Sequence, residues 1–103
     1  HGRGEAFSPT DLVASAMGTC MLTVMGIVAE RHQIDLRGTS VTVEKEMVSA
    51  PARRIKRLAT TITFAKRFDE AQRRLLEQTA LTCPVHHSLD ASVEKPVSFV
   101  YPA

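Results

Sequence analysis

Two cysteines and a pair of adjacent histidines are the side chains of this chain that could carry redox or proton-transfer chemistry. Cys20 lies in the uncharged stretch GTCMLTVMGIV, and Cys83 opens the segment CPVHHSL. A free thiol has a pKa of about 8.5, so only about 3% of it is thiolate at pH 7. Lowering that pKa to about 6 would require about 3.4 kcal/mol of preferential stabilisation of the anion. A reactive cysteine therefore needs a local source of this stabilisation.

Cys20 falls in the middle of a predicted helix, on a stripe with Val13, Met17, Val24 and Ile27. It gains nothing from a helix terminus, and its apolar neighbours would desolvate a thiolate. The residues alone therefore favour a passive buried cysteine over a nucleophile. A nucleophilic Cys20 would need a cation that reaches it from elsewhere in the fold.

Cys83 precedes Pro84 at the start of a predicted short helix, where backbone N–H groups and the helix dipole favour an anion. His86 and His87 could add a proton acceptor or a partial positive charge. The same segment could instead be a capped turn with exposed histidines. Cys83 and His86 also form a C-x2-H step toward which Cys20 could close, but one such step lacks the second paired element of structural zinc motifs. We therefore predict no metal site.

A long helix must hold Cys20. Ser8 is a good N-cap, Pro9 fits the first helical position, and Asp11 adds negative charge to a helix that runs to about Arg31. Residues 12–29 carry no charge, and the length of this run is close to the minimum for a transmembrane helix. Small and polar residues interrupt this run, so we predict a helix that is buried on most sides within an ordinary folded domain.

The remaining elements are two strands, a second helix, a short helix and a last strand. The strand-like stretches TSVTVEKEMVS, residues 39–49, and RIKRLATTITFAKRF, residues 54–68, alternate in polarity and predict an antiparallel pair. The residues expected on one face are Val41, Val43 and Met47 in the first strand and Leu58, Ile62 and Phe64 in the second. Asp69 and Gln72 resemble a capping box that opens the second helix. Pro96 places the last strand, 93–101, at an edge or a bulge, and this order of elements predicts an α+β fold.

Composition narrows the class of protein. A chain of 103 residues forms at most one domain, and its net charge of +2 offers no strong case for nucleic acid or membrane as a partner. The basic cluster ARRIKR, residues 52–57, is best explained as a solvated strand edge. The sequence contains no P-loop, G-x-G-x-x-G, serine elbow or H-E-x-x-H motif. With two cysteines and no signal peptide, we expect a cytoplasmic protein with reduced thiols.

Two segments together resemble the OsmC/Ohr family of osmotically inducible and organic-hydroperoxide-resistance proteins. They are SPTDLVASAMGTC and, far downstream, TCPVHHSL. In this family, a helix begins with the pattern S/N-P-x-x-L and carries a cysteine. That cysteine lies ten residues after the residue that follows the proline, and Thr10 and Cys20 have this spacing. The second family cysteine precedes a proline, as Cys83 precedes Pro84. The resemblance extends from about Gly2 to Tyr101, nearly the whole chain.

The resemblance implies an OsmC-like α+β fold in which a long central helix packs with antiparallel strands in an intertwined homodimer. Residues 1–103 would form a single domain that lacks the N-terminal strands of the family domain. The implied activity is reduction of an organic hydroperoxide to an alcohol. Cys20 would be the peroxidatic thiol and Cys83 the resolving thiol, joined in a disulfide through a sulfenic acid on Cys20. The resemblance implies no bound cofactor, and an external dihydrolipoamide-like dithiol would regenerate the thiols.

Departures from the family pattern concern the groups that activate the thiolate. Thr10 stands where hydroperoxide-resistance members carry a glutamate that orients an arginine. Asp11, Arg3 and His86 are the candidate supporting residues, and the two histidines after CPV indicate an OsmC-like branch. The alternative is a non-catalytic OsmC-like module that binds an apolar ligand and uses its cysteines only for packing.

Overall fold

Three helices and three strands make up the part of the chain that the structure describes. The computed structural model describes residues 8–103 of the chain. The helices are α1 (Pro9–Arg31), α2 (Glu70–Ala80) and α3 (Pro84–Ser88), and the strands are β1 (Ser40–Val48), β2 (Arg54–Thr63) and β3 (Val97–Val100). The predicted α+β class and the predicted order of elements are confirmed.

α1 begins where its local sequence predicts. Ser8 is the N-cap, and its hydroxyl accepts a hydrogen bond from the Asp11 backbone N–H at 3.2 Å. The Asp11 carboxylate in turn accepts from the Ser8 backbone N–H at 3.3 Å, which completes a capping box. Pro9 occupies the first turn, where its missing N–H costs nothing. These contacts lie within four residues, so the sequence is sufficient to predict them.

The buried face of α1 differs from the predicted stripe. Its buried residues, three to four positions apart, are Ala14, Met17, Gly18, Met21, Met25 and Ala29. Ile27, predicted to share the stripe of Met17, is 50% exposed, and Leu12 is 56% exposed. The prediction that α1 is buried on most sides is therefore wrong for the single chain. Because α1 is apolar on several sides, its periodicity could not select the face that the sheet and the shorter helices cover.

α1 is the one helix of the described residues that is long and apolar enough to span a membrane, by length and composition only. A core helix passes the same test, and α1 contacts β1, β2, α2 and α3. Its approach to β1 is close: a Cβ added to Gly18 would lie 3.1 Å from a methyl group of Val43. The small residues of α1 therefore accommodate a strand at this point, and we assign α1 to the core.

The sheet has the order β1-β2-β3. β1 and β2 pair antiparallel as predicted, with Val41 opposite Ile62 and an irregularity between Glu46 and Met47. β3 lies parallel to β2, so the sheet is mixed. A parallel return needs a long crossover, and α2 and α3 lie within it. Pro96 stands just before β3, an edge strand, and its carbonyl accepts from the Thr60 N–H at 2.9 Å.

The core lies between α1 and one face of β2. Leu58, Ile62 and Phe64 are buried as predicted. α2 begins with the predicted capping box, in which the Asp69 side chain accepts from the Gln72 N–H at 2.8 Å. Leu76 and Ala80 of α2 are also buried. This core holds α1 in place, and α3 follows α2 after a short turn.

Candidate active site

The contact between α1 and α3 brings the two cysteines together. Cys83 is the N-cap of α3, and its thiol points at the Met17 carbonyl oxygen of α1 with a separation of 3.9 Å. Cys20, one helical turn beyond Met17, lies close enough to the Cys83 thiol to influence its ionisation. Both cysteines are free thiols. Two residues far apart in sequence thus form one site.

The two sulfurs differ in their access to solvent. Cys83 is completely buried, whereas Cys20 is half-buried. On α1, Cys20 lies beside Ala16 and Thr23, one turn away in each direction, and both of these are exposed. A molecule arriving from solvent therefore reaches Cys20 before Cys83.

Cys83 has opposing influences on its ionisation. Burial raises the pKa of Cys83, and the neighbouring Cys20 raises this pKa further. The His86 backbone N–H, 3.4 Å from the sulfur, acts in the opposite direction. We predicted that the helix N-terminus would favour an anion at Cys83. That N–H contact exists, but burial outweighs it because a dry environment penalises the charged form. Cys83 is therefore a protonated thiol at neutral pH.

His86 is turned into the protein while His87 is exposed. The ring Nδ1 of His86 is buried and has no hydrogen-bond partner among the described residues. Burial lowers the pKa of His86, and the positive charge of Lys95 lowers this pKa further. The His87 ring Nε2 instead lies 2.9 Å from the Leu81 carbonyl oxygen. At pH 7, His86 is thus a neutral imidazole one turn from Cys83.

Asp11 lies away from the cysteines of its own chain. Asp11 and Cys20 are nine residues apart on α1. With about 100° of rotation and about 1.5 Å of rise per residue, they lie on opposite faces of the helix and about 13.5 Å apart along its axis. The Asp11 carboxylate pairs with Lys45 of β1 at 2.7 Å, and Lys45 also donates to the Thr10 hydroxyl at 2.8 Å. These hydrogen bonds, from Lys45 first and then Ser8, lower the pKa of Asp11. Arg3 lies outside the described residues.

Sequence reasoning missed Lys45, although the strand pattern contained a signal for it. In β1, alternate residues Val41, Val43 and Lys45 are partly buried, while their neighbours Thr42 and Glu44 are exposed. A lysine on the inward side of an alternating strand needs a partner. The signal therefore indicated an acidic group opposite β1, and Asp11 is that group.

A groove of about 500 Å³ lies between α1 and β1. Its lining residues are Asp11, Ala14, Ser15, Gly18, Thr19, Val41, Thr42, Val43 and Lys45. Neither cysteine lines it. Among residues 8–103, no group of three or more histidine, cysteine, aspartate and glutamate side chains could hold a metal ion.

A family model for OsmC-like proteins matches residues 2–96 of the chain. The chain belongs to the OsmC-like family. The match covers the helix with Cys20 and the segment with Cys83, so the resemblance predicted from these two segments is confirmed. No curated protein matches this OsmC-like chain.

Solved structures share the fold. A proposed osmotic stress induced and detoxification response protein from Psychrobacter arcticus is 42% identical, with a TM-score of 0.88 over 95% of this chain and 71% of that chain. An organic hydroperoxide resistance protein OsmC from Legionella pneumophila is 23% identical, with a TM-score of 0.77 over 96% of this chain and 73% of that chain. The organic hydroperoxide resistance protein OhrB of Bacillus subtilis is 16% identical, with a TM-score of 0.73 over 91% and 70% of the two chains. At these lower identities the likeness concerns the fold.

Proposed function

We propose that this OsmC-like protein is a thiol-dependent peroxidase that reduces alkyl or lipid hydroperoxides to alcohols. The observation that carries the proposal is the proximity of a half-buried Cys20 to a fully buried Cys83. Two family members of the same fold are named organic hydroperoxide resistance proteins. The proposed site needs no bound cofactor, because the two thiols supply both electrons.

The reaction proceeds in two steps at the sulfurs. The Cys20 thiolate attacks the outer oxygen of the hydroperoxide and breaks the O–O bond, and the alkoxide leaves and takes a proton to become the alcohol. Cys20 is now a sulfenic acid. The sulfur of Cys83 attacks that of Cys20, hydroxide leaves as water with the proton of Cys83, and a disulfide forms. An external dithiol, dihydrolipoamide-like, reduces the disulfide by exchange and is itself oxidised.

Burial supports this division of roles. Only Cys20 has solvent access, so Cys20 is the sulfur that meets the substrate. Cys83 is buried and protonated, which suits a thiol that reacts only after Cys20 has been oxidised. α1 carries no charged residue from Leu12 to Ile27, so it contributes an uncharged wall to a site at Cys20 also when a second copy covers Leu12 and Ile27. An uncharged approach favours alkyl and lipid chains over charged peroxides.

A direct test uses intact mass. We expect one equivalent of cumene hydroperoxide to lower the mass of the reduced chain by about 2 Da, because the disulfide has two hydrogen atoms fewer than the thiols. Addition of dihydrolipoamide should restore the original mass and thiol titre. An unchanged mass and thiol titre would instead support the non-catalytic module that binds an apolar ligand.

We also propose that the protein acts in the cytoplasm as an intertwined homodimer. Leu12 and Ile27, 56% and 50% exposed, lie on the same outward side of α1, and a second copy would cover them. A second copy would also be needed for Asp11 or its neighbour Thr10 to act near Cys20, since Asp11 lies on the opposite face within one chain. Arg3 is proposed as a further supporting residue. No nucleic acid or membrane partner is proposed.

The dimer is tested by a charge placed on this outward side. We expect the wild-type protein to sediment at twice the chain mass of 11.3 kDa, and Ile27→Glu to sediment as a monomer because a charge cannot be buried there without a partner. Glu44→Gln, at an exposed position of β1, is the control and should leave the mass unchanged. A wild-type monomer at micromolar concentration would contradict the proposal.

A further inference from the structure

α3 carries the resolving thiol at its start, yet this helix has few contacts of its own with the core. It is five residues long, and none of its residues is fully buried. A helix this short is not stable by itself in water, because it closes too few hydrogen bonds for the backbone entropy that it loses. Its apolar contacts with the core come from Val85 and, just past its end, Leu89, both of which are only partly buried. Other bonds must therefore fix the orientation of α3.

The ring of His87 makes a bond that joins α3 to the end of α2. Its Nε2 lies 2.9 Å from the backbone carbonyl oxygen of Leu81, which is the C-cap of α2. A carbonyl oxygen can only accept, so Nε2 carries a proton and donates it. The donor belongs to α3 and the acceptor to the residue that ends α2. The bond therefore links the two helices directly.

The backbone of His87 holds the other end of the same turn. The turn between α2 and α3 has three residues, 81–83. The His87 backbone N–H donates to the Cys83 carbonyl oxygen at 3.1 Å, and the Cys83 N–H donates to the Ala80 carbonyl oxygen at 3.3 Å. His87 thus bonds to both ends of the turn, through its ring at Leu81 and through its backbone at Cys83.

The direction of the Cys83 thiol depends on this turn. The buried sulfur lies 3.9 Å from the Met17 carbonyl oxygen of α1, and the His86 backbone N–H contacts it from α3 at 3.4 Å. A rotation of α3 about the turn would carry the sulfur away from α1, where Cys20 lies. A bond that prevents this rotation therefore keeps the two sulfurs near each other.

We propose that His87 is a positioning residue for the resolving thiol Cys83, an inference that rests on the proposed peroxidase function. The bond from its ring to the Leu81 carbonyl holds α3 so that the Cys83 sulfur faces α1 when Cys20 becomes a sulfenic acid. His87 acts through the turn and takes no proton from either thiol. A cationic ring also carries a proton on Nε2, so this role does not require His87 to titrate.

Two replacements of His87 separate the loss of the donor from the loss of the imidazole. His87→Phe keeps a planar ring and a similar helix propensity, but it has no N–H. His87→Gln places an amide N–H near the position of Nε2, where it can donate to the Leu81 carbonyl. Ser88→Ala, at the next exposed position of α3, is the control for a change on the surface of this helix.

The first measurement separates the resolving step from peroxide attack. Rapid mixing with cumene hydroperoxide and acid quenching should reveal by intact mass a species about 16 Da heavier, which decays to the disulfide. In His87→Phe we expect this decay to be about fivefold slower, the population change that follows the loss of one exposed hydrogen bond. Formation of the heavier species should be unchanged, because Cys20 lies on α1. His87→Gln and Ser88→Ala should decay at the wild-type rate.

The second measurement does not depend on peroxidase activity. In a Cys20→Ser background, Cys83 is the one remaining cysteine of the sequence. Because Cys83 is completely buried, N-ethylmaleimide reacts with it only when the turn opens. Addition of His87→Phe to this background should make the labelling about fivefold faster, since one hydrogen bond fewer opposes the opening. Addition of His87→Gln should leave the labelling rate unchanged.

Equal decay and labelling rates in the wild-type and His87→Phe proteins would overturn the inference and leave the peroxidase proposal standing. Equal slowing of the decay in His87→Phe and His87→Gln would also overturn it, because the donor to Leu81 would not be the cause. If the wild type forms neither the heavier species nor the disulfide, the peroxidase proposal itself fails, and the labelling rates still show whether His87 holds Cys83.

Discussion

We expect the rate of hydroperoxide reduction to fall by a factor of about 1,000 or more in the Cys20→Ser variant. A serine hydroxyl is not ionised at neutral pH and is a poor nucleophile toward an O–O bond. Cys83 cannot replace Cys20, because Cys83 is completely buried and its pKa is raised by burial. Measurement of residual cumene hydroperoxide in the presence of excess dithiol gives the rate directly.

A matched control is available on the same helix. Thr23 is exposed one turn beyond Cys20, and its hydroxyl donates to the Thr19 carbonyl at 2.8 Å. Thr23→Ser keeps this hydrogen bond and should retain the wild-type rate. Thermal unfolding of Cys20→Ser should resemble that of the wild type, because the replacement is small and the site is half-buried. Retention of peroxide consumption in Cys20→Ser would contradict its assignment as the nucleophile.

The Cys83→Ser variant is expected to accept one oxygen atom and stop there. Cys20 can still attack the hydroperoxide, but the buried sulfur that would displace hydroxide from the sulfenic acid is gone. One equivalent of hydroperoxide should therefore raise the mass by about 16 Da instead of lowering it by about 2 Da. Excess hydroperoxide should add further oxygen atoms to Cys20, and turnover with dithiol should fall sharply.

The two cysteine variants serve as controls for each other. With Cys20 as nucleophile, Cys20→Ser keeps its mass on exposure to hydroperoxide and Cys83→Ser gains about 16 Da. A reversed assignment predicts the opposite pair of results. The thiol is already 3.9 Å from the Met17 carbonyl and a serine hydroxyl is too short to reach it, so Cys83→Ser buries an unpaired hydroxyl and we expect a stability loss of about 1–3 kcal/mol. A soluble, folded Cys83→Ser whose mass does not change would show that Cys83 is needed for the attack itself.

Short-range sequence patterns were sufficient to predict the helices and the antiparallel strand pair. The N-cap at Ser8, the capping box at Asp69 and Gln72, and the start of α3 after Cys83 all follow from side chains within four residues of the bond they make. The antiparallel pairing of β1 with β2 follows from alternation and a short connection. The family could also be predicted from the sequence, because the chain contains both of the family's cysteine segments.

Short-range patterns could not predict which face of α1 is buried. The helix is apolar on several sides, so every choice of face satisfies the hydrophobic pattern. Contact with β1 selected the side of Gly18, where a side chain would meet Val43, and left Ile27 exposed. Likewise, the pairing of Lys45 with Asp11 joins a strand to a helix end, and only their packing creates it.

Sequence by itself determined the types of the chemical groups, the elements that carry them and the family that uses them, because these depend on short-range pattern and composition. Tertiary structure decided which groups meet and in what environment. Cys20 and Cys83 lie far apart along the chain, and the contact of α1 with α3 joins them. Burial then makes the thiols unequal and leaves His86 neutral, since desolvation is a property of the packed surroundings and not of the residue.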